Sequence, residues 1–334
     1  MTGEPQIRST GIGSWPGTDM ASAIKIAFAE CPDLPYLPEL PARGSHAQLV
    51  GRSTALLAGL FVDLQPEGWR LTDGSGRDHR LAIATLRADL DLLEEVAQGY
   101  QGPLKIAIGG PWTLAASIER PRGDRVLADH GARRDIGQSL AEGIAQLIAE
   151  LRRRLPEVDL LVQLDEPSLP AVLAGSLPTA SGFSRHRAVD IPEASATLRY
   201  VIGSVAAVDD TPVAVHCCAK DVPIAVLDGA GAQGIFVDVD QLASQDWDAI
   251  ATVLEEGHWI GMGALPTDRM LTPDRVARRV VGPIRDLGLE PDVAGQLLVT
   301  PSCGLAGLSE ADALKALRTV RTAASIVAEQ LAAG

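Results

Sequence analysis

Basic residues are in short supply. The chain sets 29 Lys and Arg against 43 Asp and Glu, for a formal net charge of −14 at pH 7. A surface so acidic lacks the basic face that nucleic acid or an anionic membrane requires, and neither is expected as a partner. Cysteine is scarce too: four residues, at 31, 217, 218 and 303, in a chain of 334. That is too few for a disulfide scaffold, and the adjacent Cys217 and Cys218 would make a poor one. A reducing cytoplasm with thiols free for metal is the expectation. No apolar run is long enough to span a bilayer. The opening Met1-Thr2-Gly3-Glu4-Pro5 lacks the basic-then-apolar pattern of a secretory signal. No linker, composition break or tandem repeat divides the chain.

What is present is a large apolar fraction. At 46% hydrophobic and 22% charged, the chain can bury a substantial core. Eight short runs read as strands: residues 7–15, 35–41, 104–111, 158–164, 213–217, 234–238, 258–262 and 297–300. The second is the weakest, because its three prolines suit a fully paired ladder badly. Most runs are continuously apolar rather than alternating, as strands buried on both faces should be. Helical patterns lie between them, near 46–62, 80–98, 134–154, up to about 205, and 309–331. Asp19 caps an Ala-rich helix ending near Cys31, and Leu140, Ile144, Leu147 and Leu151 mark one apolar stripe. Strict alternation predicts an α/β fold, a single (β/α)8 TIM barrel occupying residues 1–334.

In such a barrel the chemistry sits at the carboxyl ends of the strands. Reactive residues fall there repeatedly: Ser14, Glu39, Asp165 and Glu166, His216 and Cys218, Asp238, and Cys303. His216 and Cys218 stand two apart, so on an extended strand they share a face while Cys217 points away. With Cys303 they offer zinc an imidazole and two thiolates and leave one position open, the pattern of a catalytic zinc. A thiolate-rich open zinc suits binding an incoming thiol as thiolate for attack on an electrophilic carbon. Water activation for hydrolysis is the competing use. Several residues carry blander readings. Asp165-Glu166-Pro167 also resembles a helix start. Trp112 reads as packing, Cys31 as a buried thiol, and Lys220 as solvated. His258 enters its strand from the far end, and His46, His79, His130 and His186 read as surface.

Four motifs together are similar to the catalytic carboxyl-terminal barrel of cobalamin-independent methionine synthase. They are Ile12-Gly13-Ser14-Trp15-Pro16, Gln163-Leu164-Asp165-Glu166-Pro167, His216-Cys217-Cys218 and Pro301-Ser302-Cys303-Gly304-Leu305. The resemblance implies that His216, Cys218 and Cys303 ligate zinc. Asp238 stands where the family carries a glutamate ligand, one carbon longer, and Asp240 on the same strand face is the substitute. Homocysteine is the implied acceptor, its carboxylate near Ile12, Gly13 and Ser14 and its ammonium against Asp165 and Glu39. Asp165, His216, Cys218 and Cys303 are then the catalytic set, in a methyltransferase of methionine biosynthesis. Three departures stand out. The family's amino-terminal barrel has no counterpart, Ser117 occupies the position of a pterin-stacking tryptophan, and Ala264 and Pro266 replace an Asp and a His near the folate leaving group. The expectation is that thiol activation is kept while methyltetrahydrofolate gives way to methylcobalamin on a corrinoid protein. Two other readings keep the barrel: alkyl transfer to another thiol such as coenzyme M, or a non-catalytic descendant that binds homocysteine or zinc.

Overall fold

A computed structural model of the chain describes residues 7–289 and 291–333. Eight parallel strands form one sheet: β1 (Arg8–Ser9), β2 (Tyr36–Leu37), β5 (Gly102–Gly109), β6 (Val158–Asp165), β7 (Val213–Cys217), β8 (Gly234–Asp238), β9 (Trp259–Leu265) and β10 (Leu297–Pro301). Their spatial order is β1-β10-β9-β8-β7-β6-β5-β2, so from β2 to β10 successive strands are neighbours, and β1, at the far edge from β2, pairs with β10. Helices carry the crossovers: α1 (Met20–Glu30), α3 (Arg77–Val96), α5 (His130–Arg154), α7 (Ile191–Ala206), α9 (Ser244–Glu255), α10 (Pro273–Asp286) and α11 (Glu310–Ala332). Short helices α2 (Leu49–Thr54), α4 (Pro111–Ser117), α6 (Leu169–Leu173) and α8 (Ile224–Gly229) fill the connections. This is a TIM-like α/β architecture. Among the described residues, no helix is long and apolar enough to cross a membrane.

The edge strands β1 and β2 are two residues each, and prolines 35, 38 and 41 explain the brevity of β2. Past their ends the two edge segments meet. Ser14 and Glu39 form a parallel bridge, with Trp15 N–H donating to the Glu39 carbonyl at 2.8 Å and Glu39 N–H to the Gly13 carbonyl at 3.1 Å.

Alternation sorts each strand into two faces. Val213, Val215 and Cys217 of β7, and Ile235 and Val237 of β8, join the main core under the helices. Ile12, Leu34, Leu161, Ala214, Phe236 and Leu298 form a second, smaller buried cluster on the opposite face. Packing there depends on one absence: a Cβ on Gly261 would lie 2.0 Å from the Phe236 ring, so β9 must carry glycine.

The helices keep to the expected pattern. In α5 the stripe Leu140, Ile144, Leu147 and Leu151 is buried, and Asp129 caps the first turn by accepting from Ala132 N–H at 2.8 Å. Asp19 does the same for α1, accepting from Ser22 N–H at 3.0 Å.

Two expectations fail. The helix predicted over 46–62 is only α2, residues 49–54, and an antiparallel hairpin follows: β3 (Phe61–Gln65) and β4 (Gly68–Thr72). Gly59 and Gly68, at φ +73° and +132°, sit in backbone that a helix does not visit, and Val62, Leu64, Trp69 and Leu71 follow a period of two. His79 and His186, expected at the surface, are buried at 3% and 6% exposure. His79 Nε2 is 3.1 Å from the Thr54 carbonyl, and His186 lies 3.2 Å from the Asp124 carboxylate.

Candidate active site

Strand β7 ends by presenting His216 on the second-cluster face, with Cys218 two residues on. The segment after β10 brings in Cys303. The candidate ligand atoms of His216, Cys218 and Cys303 all lie within 4.8 Å of one another, and the two sulfurs are 3.2 Å apart. Cys217 is buried away from them, and desolvation pushes its thiol up to about 12.

Either sulfur can donate to the other; with Cys218 as donor, the hydrogen bond and nearby His216 hold the Cys303 thiol down at about 6, while Cys218 is pushed up. His216 is 3% exposed, and its Nδ1 is 2.8 Å from Asp165 Oδ1. Burial alone would lower its pKa; the hydrogen bond and charge of Asp165 outweigh that and raise it. Its Nε2 is buried with no hydrogen-bond partner, as are Glu39 Oε1 after β2 and Thr300 Oγ1 in β10. Native proteins leave few such atoms unpaired, and each calls for a ligand or ordered water. An imidazole with Nδ1 on a carboxylate and Nε2 free is the arrangement of a metal-ligating histidine. The donor set therefore fits a soft or borderline divalent cation, whose binding would compete with protonation of His216.

Behind Asp165 lies a buried polar chain that sequence reasoning missed. Gln163 Nε2 donates to Asp165 Oδ1 at 2.7 Å and to the Ile12 carbonyl at 3.0 Å. Lys105, at 0% exposure, donates from Nζ to the same Ile12 carbonyl at 2.7 Å and to Gln163 Oε1 at 2.5 Å. Its ammonium also stands 5.5 Å from the centroids of the Tyr36 and Phe236 rings. Desolvation lowers Lys105 to about 8, against the opposing charges of Asp165, Cys31 and Glu39. The ammonium fixes which way the Gln163 amide points, and so turns its N–H toward Asp165. A signal existed in the sequence: one lysine inside the apolar run Leu104-Lys105-Ile106-Ala107-Ile108.

The motif at residues 12–14 packs against the last one. Leu305 N–H donates to the Ser14 carbonyl at 2.9 Å, Ala306 N–H to Ser14 Oγ at 3.4 Å, and a Cβ on Gly304 would fall 2.0 Å from Ser14 Oγ. Glu39, bridged to Ser14, is buried with its Oε1 3.8 Å from Arg52 Nε. Desolvation lifts its carboxyl to about 7 in spite of that guanidinium.

Other residues fall elsewhere. Glu166 turns away and caps α4, accepting from Trp112 N–H at 2.9 Å, Thr113 N–H at 2.7 Å and Thr113 Oγ1 at 2.8 Å. The helix it starts is thus not the one that follows it in sequence. Trp112 is buried, its indole donating to the Ala194 carbonyl at 3.1 Å, so it is packing. Asp238 is half-buried, accepts from Asp240 N–H at 2.9 Å, and does not join the group of His216, Cys218 and Cys303. Asp240 is not on the strand face. The chain turns into a 3-10 segment at Val239–Gln241, and Asp240 is claimed by Arg269 at 3.0 Å and Arg279 at 2.5 Å.

An imidazole and two thiols converging at one end of a TIM-like parallel sheet define a class: an α/β barrel-type protein with a candidate thiolate metal centre. The family profile "Cobalamin-independent synthase, Catalytic domain" matches residues 115–326, more than half of the sequence, and the chain belongs to that family. The match takes in Asp165, His216, Cys218 and Cys303 and stops short of residues 12–14 and Glu39. Among solved structures, a B12-independent methionine synthase from Shewanella sp. W3-18-1, in complex with selenomethionine, aligns with a TM-score of 0.65 at 15% identity. That alignment covers 98% of this chain and 100% of the other, and at such identity it speaks to fold. The Amycolatopsis orientalis BexX/CysO complex follows with a TM-score of 0.40 at 11% identity, covering 99% and 97% of the two chains. No curated protein sequence matches significantly.

Proposed function

We propose that the chain is a zinc-dependent methyltransferase that methylates the thiol of homocysteine to give methionine. The sheet is read here as a (β/α)8 barrel closed through the bridge between Ser14 and Glu39. The observation that carries the reading is the meeting of three ligand atoms, one of them the buried, unpartnered Nε2 of His216. Zinc held by His216, Cys218 and Cys303 would keep an incoming thiol ionised and nucleophilic at neutral pH. The protein's own groups do the rest. Asp165 holds His216 by Nδ1 and fixes its tautomer. Residues 12–14, braced by residues 304–306, present backbone beside the site for the substrate carboxylate. Glu39, whose buried Oε1 accepts no hydrogen bond and has only the Arg52 guanidinium at 3.8 Å, is poised to pair with an ammonium, which would favour its ionised form.

Those buried carboxyls favour an amino acid over coenzyme M, which would bring a sulfonate toward Glu39 and Asp165. For the donor, Ser117, Ala264 and Pro266 offer neither an aromatic face nor a proton-transfer group. Methylcobalamin on a corrinoid protein needs neither, and is the donor proposed over methyltetrahydrofolate. Metal analysis of the purified protein should find about one zinc per chain, lost or much weakened in Cys303→Ser. Turnover of homocysteine with each donor in turn then tests the chemistry. Absence of zinc from a fully folded wild type, or efficient turnover of methyltetrahydrofolate by this chain alone, would refute the corresponding part.

A further inference from the structure

The connection after β9 and the first turns of α10 gather four guanidinium groups around one open cavity of about 330 Å3, lined by Arg269, Leu271, Arg275, Arg278 and Arg279. With Asp240, Asp268 and Asp274 beside it the patch is still net positive, in a chain of formal net charge −14. Two of the four are anchored. Arg279 donates from Nε to the Ala264 carbonyl at 2.8 Å, and both Arg279 and Arg269 hold Asp240. Arg269 also touches Asp268 at 3.1 Å. The other two are uncommitted: among the described residues the Arg275 guanidinium has no hydrogen-bond or ion-pair partner, and that of Arg278 reaches only the Asp274 carbonyl, at 3.3 Å. The acidic side chains nearby are Asp240, Asp268 and Asp274, of which Asp240 is already matched by two arginines. The amino end of the 14-residue helix α10 adds positive potential to the same spot.

The cavity belongs to the active end of the sheet. Ala264 lies at the carboxyl end of β9, and Asp240 directly follows β8, the strand next to the one carrying His216. Rigid guanidinium forks beside free ones suit an oxyanion that accepts paired hydrogen bonds. We propose that this cavity is a subsite for a phosphate-type oxyanion carried by the methyl donor, at the rim of the thiol-activating centre. The donor part of the proposal rests on the methyl-transfer reading above; the oxyanion part stands on the arginines alone.

Calorimetric titration of the chain with inorganic pyrophosphate, and separately with citrate, at low salt tests it. Pyrophosphate should bind more tightly than citrate and weaken as salt is raised. Arg275→Ala/Arg278→Ala removes two exposed side chains, with circular dichroism and melting to verify the fold. It should weaken pyrophosphate at least about tenfold and raise the KM for the methyl donor by a similar factor, leaving the KM for homocysteine unchanged. Should that variant fold poorly, the single changes Arg275→Gln and Arg278→Gln carry the same prediction in smaller steps. Wild-type indifference to pyrophosphate, binding of citrate alone, or a double variant that binds like wild type overturns the subsite. Anion binding that depends on the arginines beside an unmoved donor KM overturns the donor's part. If no donor is turned over at all yet pyrophosphate binding still needs Arg275 and Arg278, the subsite stands and the methyl-transfer reading falls.

Discussion

Replacing Lys105 by Met separates what the buried polar chain does for the fold from what it does for the proposed metal centre. Lys105 is fully buried, and its pKa is lowered from 10.5 to about 8 by desolvation. A lysine whose folded pKa is depressed binds fewer protons than the unfolded chain between those two values. It therefore penalises the folded state by on the order of 3 kcal/mol at pH 7, and the penalty fades as pH rises from about 8 toward 10.5. Met removes that penalty with a side chain of similar length. Against this, Gln163 Oε1 loses its donor, and one buried unpaired oxygen costs roughly 1–3 kcal/mol. The Ile12 carbonyl keeps the Gln163 N–H at 3.0 Å and is not orphaned. The two effects nearly cancel, so denaturant unfolding at pH 7 should find Lys105→Met within about 2 kcal/mol of wild type. Wild type should then gain on the variant as pH is raised toward 10. The metal centre has no such compensation. Without the ammonium the Gln163 amide loses the donor that anchors its Oε1, so its N–H holds Asp165 less firmly and the carboxylate that orients His216 is freer to move. Competition with a chelating indicator should show zinc affinity reduced about 10- to 100-fold, the range for loss of an outer-shell partner. Unaltered zinc affinity in a folded Lys105→Met, or a stability difference that ignores pH between 7 and 10, would refute this account.

Two further outcomes follow from the same geometry. Glu166, raised to about 7 by burial, holds a proton in the folded state at pH values where the unfolded carboxyl, near 4.5, has lost it. Its contribution to stability accordingly falls as pH rises from about 4.5 to 7; Glu166→Gln should flatten that part of the urea-derived stability profile, leaving the parallel contribution of Glu39, and should not change zinc stoichiometry. Gly261→Ala forces a methyl to within 2.0 Å of the Phe236 ring, and should lower stability by about 1–3 kcal/mol in thermal or chemical unfolding, whereas the same change at exposed, helical Gly203, where a Cβ meets nothing, should not lower it.

The strand sequence was legible because parallel strands covered on both faces are apolar along their length, and each such run here ends at a turn. The hairpin of β3 and β4 escaped because Val50, Leu56 and Leu60 imitate a helical stripe just before it. The decisive signals were Gly59 and Gly68, whose positive φ values are a property of the folded backbone that residue type only permits. His79 and His186 escaped for a related reason. Histidine is polar enough to read as surface, and nothing local announces that the Thr54 carbonyl or Asp124 waits to pair with it.

At the site, spacing alone placed His216 and Cys218 on one face, because a strand's period of two is local. Bringing Cys303 to them needs β10 beyond β8 and β9, and that followed only from the fold as a whole. Glu166 shows where local reasoning stops. Next to Asp165 in the chain, it faces the other way and serves α4, whose amide groups are over fifty residues distant in sequence. Lys105 shows the converse. Its oddity was visible, but a lysine in an apolar strand has two physical outcomes: its flexible stem reaches water, or it stays buried and draws carbonyls around the ammonium. Only the facing Ile12 carbonyl and the Gln163 amide decide between them. The burial of so costly a charge, one hydrogen-bonded residue removed from the carboxylate that holds His216, is best explained if the cost is repaid at the metal centre rather than in the fold. That is why affinity for zinc, more than resistance to unfolding, is the quantity on which Lys105→Met should register.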